Sequence, residues 1–329
     1  MTRYFANRIE GFVDREALSK ELASVMPLCL NMIEHHYGNA EEKSGAIYAG
    51  VGGVAYMYFH LSEVFQDETY KEKALFWCER ALERHFRSNC ISFLQSRSGV
   101  LALKSLLTGH LQEGVLCGEP CDSFEVLEGW AGYLYTLHFL KRKFKIDLES
   151  VANHIKMNEN KWAWHGKEYL GAAHGIVGIK YMLEEDFDVS TLNKENLPNS
   201  IGGRNDLVQW CHGAPGALAS GICPDPWIET TWKYGLLKKG IGLCHGISGN
   251  AFSLLSVGEI EKGLHFTEFA LQNLENLLLV PDRPFSLYEG LAGATCLFAS
   301  VLCYLRTAKT EVFSFPAYGL CLSECANLQ

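Results

Sequence analysis

Leu243-Cys244-His245-Gly246-Ile247-Ser248-Gly249 sets two metal-binding residue types directly before a Gly-x-x-Gly turn, and Trp210-Cys211-His212-Gly213-Ala214-Pro215-Gly216 repeats the arrangement 33 residues earlier. Outward from this pair the same turn recurs toward both ends of the chain. Ser44-Gly45-Ala46-Ile47-Tyr48-Ala49-Gly50-Val51-Gly52-Gly53 opens the series, and Leu94-Gln95-Ser96-Arg97-Ser98-Gly99 follows with Ser96 in place of the first glycine. Leu127-Glu128-Gly129-Trp130-Ala131-Gly132 is third and Ala173-His174-Gly175-Ile176-Val177-Gly178 fourth, while Tyr288-Glu289-Gly290-Leu291-Ala292-Gly293 completes a set of seven. Self-similarity of this kind marks a repeat architecture, in which one supersecondary unit stacks on its own copies.

Each turn leads into an apolar run, such as Val54-Ala55-Tyr56-Met57-Tyr58-Phe59 or Ala294-Thr295-Cys296-Leu297-Phe298, and the stretches between are more polar. In residues 15–36, Leu18, Leu22, Val25, Met26, Cys29 and Met32 recur at three- and four-residue steps, as a helix that buries one face requires. An apolar helix alternating with an amphipathic one predicts two concentric layers, the apolar set inside. Inner helices are expected to start near residues 50, 96, 129, 175, 213, 246 and 290, and residues 1–329 form one unit although length alone suggests about two domains. Glycine lets each turn approach its neighbours without a Cβ clash. Seven such turns at one end of a closed ring converge on its axis, where side chains from different repeats can meet.

Composition narrows the function. The chain is 48% hydrophobic with a formal charge of -9, which argues against the broad basic surface that nucleic acid requires. The most apolar stretch, 294–305, is too short to cross a bilayer and reads as a buried helix. Met1-Thr2-Arg3-Tyr4-Phe5 lacks the apolar stretch of a secretion signal and lacks Gly at position 2 for myristoylation, so the expected location is cytoplasmic, with peripheral attachment at the plasma membrane as the alternative. The 12 cysteines show no dense disulfide spacing and are expected to be reduced core residues, the close pairs Cys117 and Cys121 or Cys321 and Cys325 included.

Packing alone explains the glycines, but not the side chains beside them. His174, His212 and His245 each precede a first glycine, and Cys211 and Cys244 precede two of these histidines. Thiolate and neutral imidazole are the usual zinc ligands, and three of them leave the open position of a catalytic site. Four ligands are on offer, because a non-helical turn lets a cysteine and the adjacent histidine share one ion. Isolated His60, His110, His138 and His265 read as core residues.

Three blocks, Val208 to Gly216, Tyr234 to Gly246 and Pro284 to Gly293, resemble signature segments of the eukaryotic lanthionine synthetase C-like proteins, and Arg3-Tyr4-Phe5 and Phe315-Pro316-Ala317 fit the same style. The resemblance spans nearly the whole chain, but segments 184–204 and 219–230 are shorter than it implies, so truncated outer helices are expected there. It implies an all-α (α/α) toroid of seven inner and seven outer helices, with zinc held by Cys211, Cys244 and His245 and with His212 as a neighbour. It further implies a catalytic role for His174 and a proton-transfer role for Glu125, whose position by itself also reads as a solvated helix start, where an acid is electrostatically favoured.

The activity implied is addition of the glutathione thiol to dehydroalanine or dehydrobutyrine residues of peptides and proteins, including alkenes left by loss of phosphate from phosphoserine or phosphothreonine. Lys239 and Arg204 are the expected anion clamps; Arg283 is a third candidate, and Leu277-Leu278-Leu279-Val280 occupies a neighbourhood where the family carries an arginine for glutathione. A second reading is a glutathione- and zinc-binding signalling adaptor that catalyses little. Helical toroids of the terpenoid-cyclase or glycosidase kind need an Asp-rich or paired-carboxylate site, and no such set stands out.

Overall fold

A computed structural model describes residues 2–8, 10–39, 42–116, 121–190, 192 and 195–320 of the chain. Along it run α1 (Arg15–Asn39), α2 (Val51–Phe65), α3 (Glu68–Leu82), α4 (Arg97–Thr108), α5 (Trp130–Lys141), α6 (Glu149–Met157), α7 (Ile176–Met182), α8 (Ala214–Ala219), α9 (Asp225–Tyr234), α10 (Ile247–Ser256), α11 (Ile260–Gln272), α12 (Leu274–Leu278) and α13 (Leu291–Thr307). Extended pairing among the described residues is confined to isolated bridges. No helix among them is long and apolar enough to cross a membrane.

Seven helices, α2, α4, α5, α7, α8, α10 and α13, begin one residue after the expected turn positions, so that Gly50, Ser96, Gly129, Gly175, Gly213, Gly246 and Gly290 are their N-caps. Each packs on the next, and α13 closes onto α2. The ring is therefore shut, and the longest of its seven helices, α2 and α13, are buried almost on every side.

The second glycine of each turn is where a side chain would collide with backbone. A Cβ there would lie from 1.8 Å (Gly249 to Leu243) to 2.6 Å (Gly53 to Ile47) from the carbonyl oxygen six residues earlier, and the same relation recurs in all seven turns. Ser96, which replaces a first glycine, instead caps its helix by accepting from the Ser98 N–H.

The outer layer is thinner than seven helices. α1 covers α13, α3 bridges α2 and α4, α6 covers α5, α9 bridges α8 and α10, and α11 bridges α10 and α13. Five of the seven outer positions thus carry a helix, while 109–129 and 183–213 carry none among the described residues. Shortening was expected for 184–204 and for 219–230, but α9 begins halfway through the latter and runs on to Tyr234. The loop at 196–214 is held by a side chain: buried Asn196 donates to the Asn205 and Leu207 carbonyls and accepts from the Ala214 N–H.

On α1 the buried stripe is Leu18, Leu22, Met26, Cys29, Ile33 and Tyr37, with Val25 half-buried. Met32 is exposed, because the step from Cys29 is four residues to Ile33 rather than three. His60 and His265 are buried and His138 is half-buried, but His110 is exposed, lying just past the left-handed C-cap Gly109 that ends α4. Cys117, Cys321 and Cys325 lie outside the described residues; the nine described cysteines are free thiols.

After α13 the chain turns back into the ring. Tyr56 accepts from the Ala317 N–H at 2.7 Å, Tyr288 donates to the Pro316 carbonyl at 3.1 Å, and Tyr181 accepts from the Leu320 N–H at 2.8 Å. These partners come from opposite sides of the ring, so residues 315–320 plug its middle. Phe315 stacks on Trp210, with ring centroids 5.6 Å apart.

Candidate metal centre and the adjoining histidine

The turns are laced together at one repeated position, two residues before the N-cap. The Tyr48 N–H donates to the Leu94 carbonyl at 2.9 Å, Tyr288 to Tyr48 at 3.0 Å, Cys244 to Tyr288 at 2.7 Å, Cys211 to Cys244 at 3.2 Å and Leu127 to Ala173 at 3.2 Å. Cys211 and Cys244 hold this equivalent position in neighbouring turns. The repeat therefore brings the two thiols side by side without any special loop.

One ligand atom from each of Cys211, Cys244 and His245 lies within 4.8 Å of the others. A tetrahedral zinc ion with Zn–S distances of about 2.3 Å needs its sulfurs about 3.8 Å apart. Two thiols and an imidazole gathered at this spacing are a donor set that fits such an ion.

His212 stands in the same place in its repeat as His245 but is not in the cluster. Gly213 adopts φ +108°, whereas Gly246 is extended at φ -121°. Gln209 and His212 exchange both backbone hydrogen bonds at 3.1 Å, which closes a tight turn and swings the His212 ring toward Tyr169 and His174. Only a backbone without a Cβ takes up that φ readily.

Neighbouring groups tune the thiols. The Cys244 thiol donates to Cys211, which with His245 draws Cys211 well below the ordinary thiol value despite burial. Burial pushes Cys244 up, with the charge on Cys211 adding and the Tyr48 hydroxyl donating to Cys244 in opposition. Gln209 Nε2 donates to Cys211 Sγ at 3.2 Å. Burial also draws His212 below its usual value.

Beside this cluster sits a second one. His174 Nδ1 is 2.8 Å from Glu125 Oε2, across 49 residues of sequence. Glu125 is only 1% exposed, which excludes the solvated helix start that its position could equally have meant. Its carboxylate accepts from the Leu127 and Glu128 N–H groups at 2.9 and 2.6 Å and from Ser123 Oγ at 3.2 Å. The carboxylate thus shapes the third turn while holding the histidine of the fourth. His174 and His212 have ring centroids 5.9 Å apart, so His212, next to Cys211 in the chain, stands between the pair and the cluster.

The expected anion clamps stand further out. Lys239 lines a pocket of about 250 Å³ with Arg3, Tyr4, Asp206, Gln209 and Lys238, and its charge reaches His212. The pocket is walled by the N-terminal segment, where Phe5 and Lys238 pair with Leu236 and Arg3. Arg204 is not among its lining residues: its side chain is 75% exposed and 3.6 Å from Asp206, which also pairs with Arg3 at 3.5 Å. Arg283 pairs with Glu42 at 3.1 Å. Trp164 and Tyr169, absent from the sequence reading, pack against His174. Their only sequence signal is two aromatic residues shortly before Ala173-His174-Gly175.

Ring and site together define a protein class: an α/α toroid whose glycine turns gather a Cys2His cluster and a His–Glu pair at one end. The family model for lanthionine synthetase C-like protein matches residues 41–185 and 225–314, and the chain belongs to that family. It is similar to the Danio rerio protein named glutathione S-transferase LANCL1, with 28% identity over 357 residues that cover 85% of this chain and 88% of the relative. Among solved structures it is similar to nisin cyclase, at 15% identity and a TM-score of 0.38, over 93% of this chain and 88% of that one. The stretch between the two matched segments, 186–224, contains Cys211 and the loop that lacks an outer helix.

Proposed function

We propose that this chain is a zinc-dependent enzyme that adds the thiol of glutathione to dehydroalanine or dehydrobutyrine residues in peptides or proteins. The observation that carries the reading is the buried His174–Glu125 pair standing beside a Cys2His cluster. A thiol-activating centre and a proton carrier are the two devices such an addition needs. The name of the Danio rerio relative supports glutathione as the thiol.

Cys211, Cys244 and His245 would hold the ion. Bound there, zinc supplies a Lewis acid that favours the thiolate of an incoming thiol at neutral pH. Gln209 and Tyr48 orient the two cysteines through their hydrogen bonds. Addition forms a carbon–sulfur bond at the β-carbon and breaks the π bond, and the electron pair left at the α-carbon takes a proton. His174 delivers it. Glu125 keeps Nδ1 protonated and the ring oriented, so the proton exchanged is the one at Nε2. Lys239 faces the carboxylates of glutathione or a departing phosphate, and Arg204 reaches the same rim through Asp206.

The test is mass spectrometry of a dehydrobutyrine-containing peptide incubated with glutathione and zinc-loaded protein, beside Cys244→Ala and His174→Ala. Adduct from the unsubstituted protein, lost in both variants, supports the reading. Bound zinc with no adduct above background removes it in favour of a binding adaptor.

A further inference from the structure

Trp164 carries no repeat signature, yet it makes the closest ring contact among the described aromatic pairs. Its indole lies on the His174 imidazole with centroids 3.8 Å apart and planes at 14°. The hydrogen bond from His174 Nδ1 to Glu125 fixes one point of that ring and leaves it free to rock about the Nδ1···Oε2 line. A flat partner across one face removes that freedom.

The backbone around Trp164 is built to hold it there. His165 at φ 47° and Gly166 at φ 73° form a two-residue turn with both centres left-handed, the geometry that closes a tight hairpin. Trp164 and Lys167 exchange both backbone hydrogen bonds, at 2.9 and 3.0 Å. One leg is pinned by Trp162, whose indole N–H donates to the Ile155 carbonyl of α6 at 3.1 Å. On the other, Leu170 donates to Asn199 at 3.1 Å and accepts from Val177 at 3.2 Å, and Glu168 accepts from Ile201 at 2.9 Å. Asn199 and Ile201 belong to the loop that replaces an outer helix. That loop therefore buttresses the hairpin bearing Trp164.

We infer that Trp164 is a positioning residue that fixes the plane of His174, so that Nε2 presents its proton to one face of the α-carbon of the dehydroamino acid. The assignment rests on the catalytic reading above. Sulfur bonds to the β-carbon, the alkene electron pair moves to the α-carbon and takes the Nε2 proton, and the proton released by the thiol restores it. The overall change is S–H added across C=C. With His174 held, protonation comes from one side and a single configuration results.

A dehydroalanine peptide tests this, because its addition product has one new stereocentre and its two diastereomers separate by chromatography. Trp164→Ala is expected to lower kcat about tenfold or more with KM for the peptide changed less than roughly twofold, as lost orientation predicts. The diastereomer ratio should fall toward that of the uncatalysed reaction. Trp164→Phe, which keeps a flat ring, should recover most of both. In NMR spectra the His174 ring protons, identified by their loss in His174→Ala, should lose their ring-current shift in Trp164→Ala and keep part of it in Trp164→Phe. If Trp164→Ala raises KM alone, or keeps the ratio and kcat of the unsubstituted protein, the assignment is wrong while the enzyme reading stands. If the unsubstituted protein forms no adduct, the enzyme reading fails and takes the assignment with it.

Discussion

Alanine at Gly249 and at Gly99 separates what the glycine turns do for folding from what one of them does for the metal centre. A Cβ on Gly249 would sit 1.8 Å from the Leu243 carbonyl oxygen, and a Cβ on Gly99 1.9 Å from that of Phe93. To reach a tolerable 3.0 Å, the carbonyls must retreat by 1.2 and 1.1 Å respectively. Overpacking of this kind costs about 1–3 kcal/mol. At about 2–4 °C per kcal/mol, each variant should melt roughly 2–12 °C lower, by similar amounts. Their metal affinities should differ. Leu243 precedes Cys244, and a metal site tolerates shifts of only about 0.2 Å in its ligand distances. Gly249→Ala should therefore weaken zinc at least about tenfold, as displaced supporting groups commonly do, and Gly99→Ala should leave it unchanged. Differential scanning fluorimetry reads the first quantity and competition with a fluorescent zinc chelator the second. Equal zinc affinities in the two variants would refute the idea that the turn places the ligand, and an unshifted melting temperature for Gly249→Ala would refute the clash itself.

Glu125→Gln should leave zinc content intact and lower kcat roughly a hundredfold, since general acid–base catalysis contributes on that scale; stopped assays with metal analysis check it. Glu125→Ala should in addition destabilise the fold in denaturant titrations, because the Leu127 and Glu128 N–H groups lose their acceptor at about 1–3 kcal/mol each. Burial draws His60 down to about 4, below its unfolded value of 6.5, so the unfolded chain binds more protons between those values and stability falls as pH drops through them. Denaturant unfolding from pH 7 to pH 4 should show the unsubstituted protein losing about 3 kcal/mol more than His60→Gln. Phe315→Ala, which empties a fully buried position stacked on Trp210, should cost about 3–5 kcal/mol. Phe12→Ala, at a position 90% exposed, should stay within about 0.5 kcal/mol in the same titration.

The inner ring was legible because its rule is local. A glycine six residues past a carbonyl, followed by an apolar run, states a turn and a buried helix in about a dozen letters, and the N-caps fall at all seven expected positions. The outer layer was harder to read, since an amphipathic segment and a polar loop differ by only a few apolar positions. Segment 219–230 looked short yet feeds α9, whereas 183–213 is organised by the Asn196 side chain instead of a helix.

Within the site, pattern alone put Cys211, His212, Cys244 and His245 forward as equals. Repeat position explains why the two cysteines meet, and Gly213 at φ +108° explains why His212 turns away, a distinction between two identical Cys-His-Gly triplets that lies in backbone torsion. Glu125 could be read as an exposed helix start until its contact with His174 was seen.

What the chain determines by itself is the repeat: seven turns, seven inner helices and the residue types beside each glycine, all encoded within short spans where backbone sterics and apolar periodicity act. Ring closure decides the rest. Glu125 meets His174 across 49 residues, and Tyr56 and Tyr181 grip the C-terminal plug from across the ring. Those contacts join segments far apart in sequence, and their distances depend on how the helices pack around the axis, which no local pattern specifies.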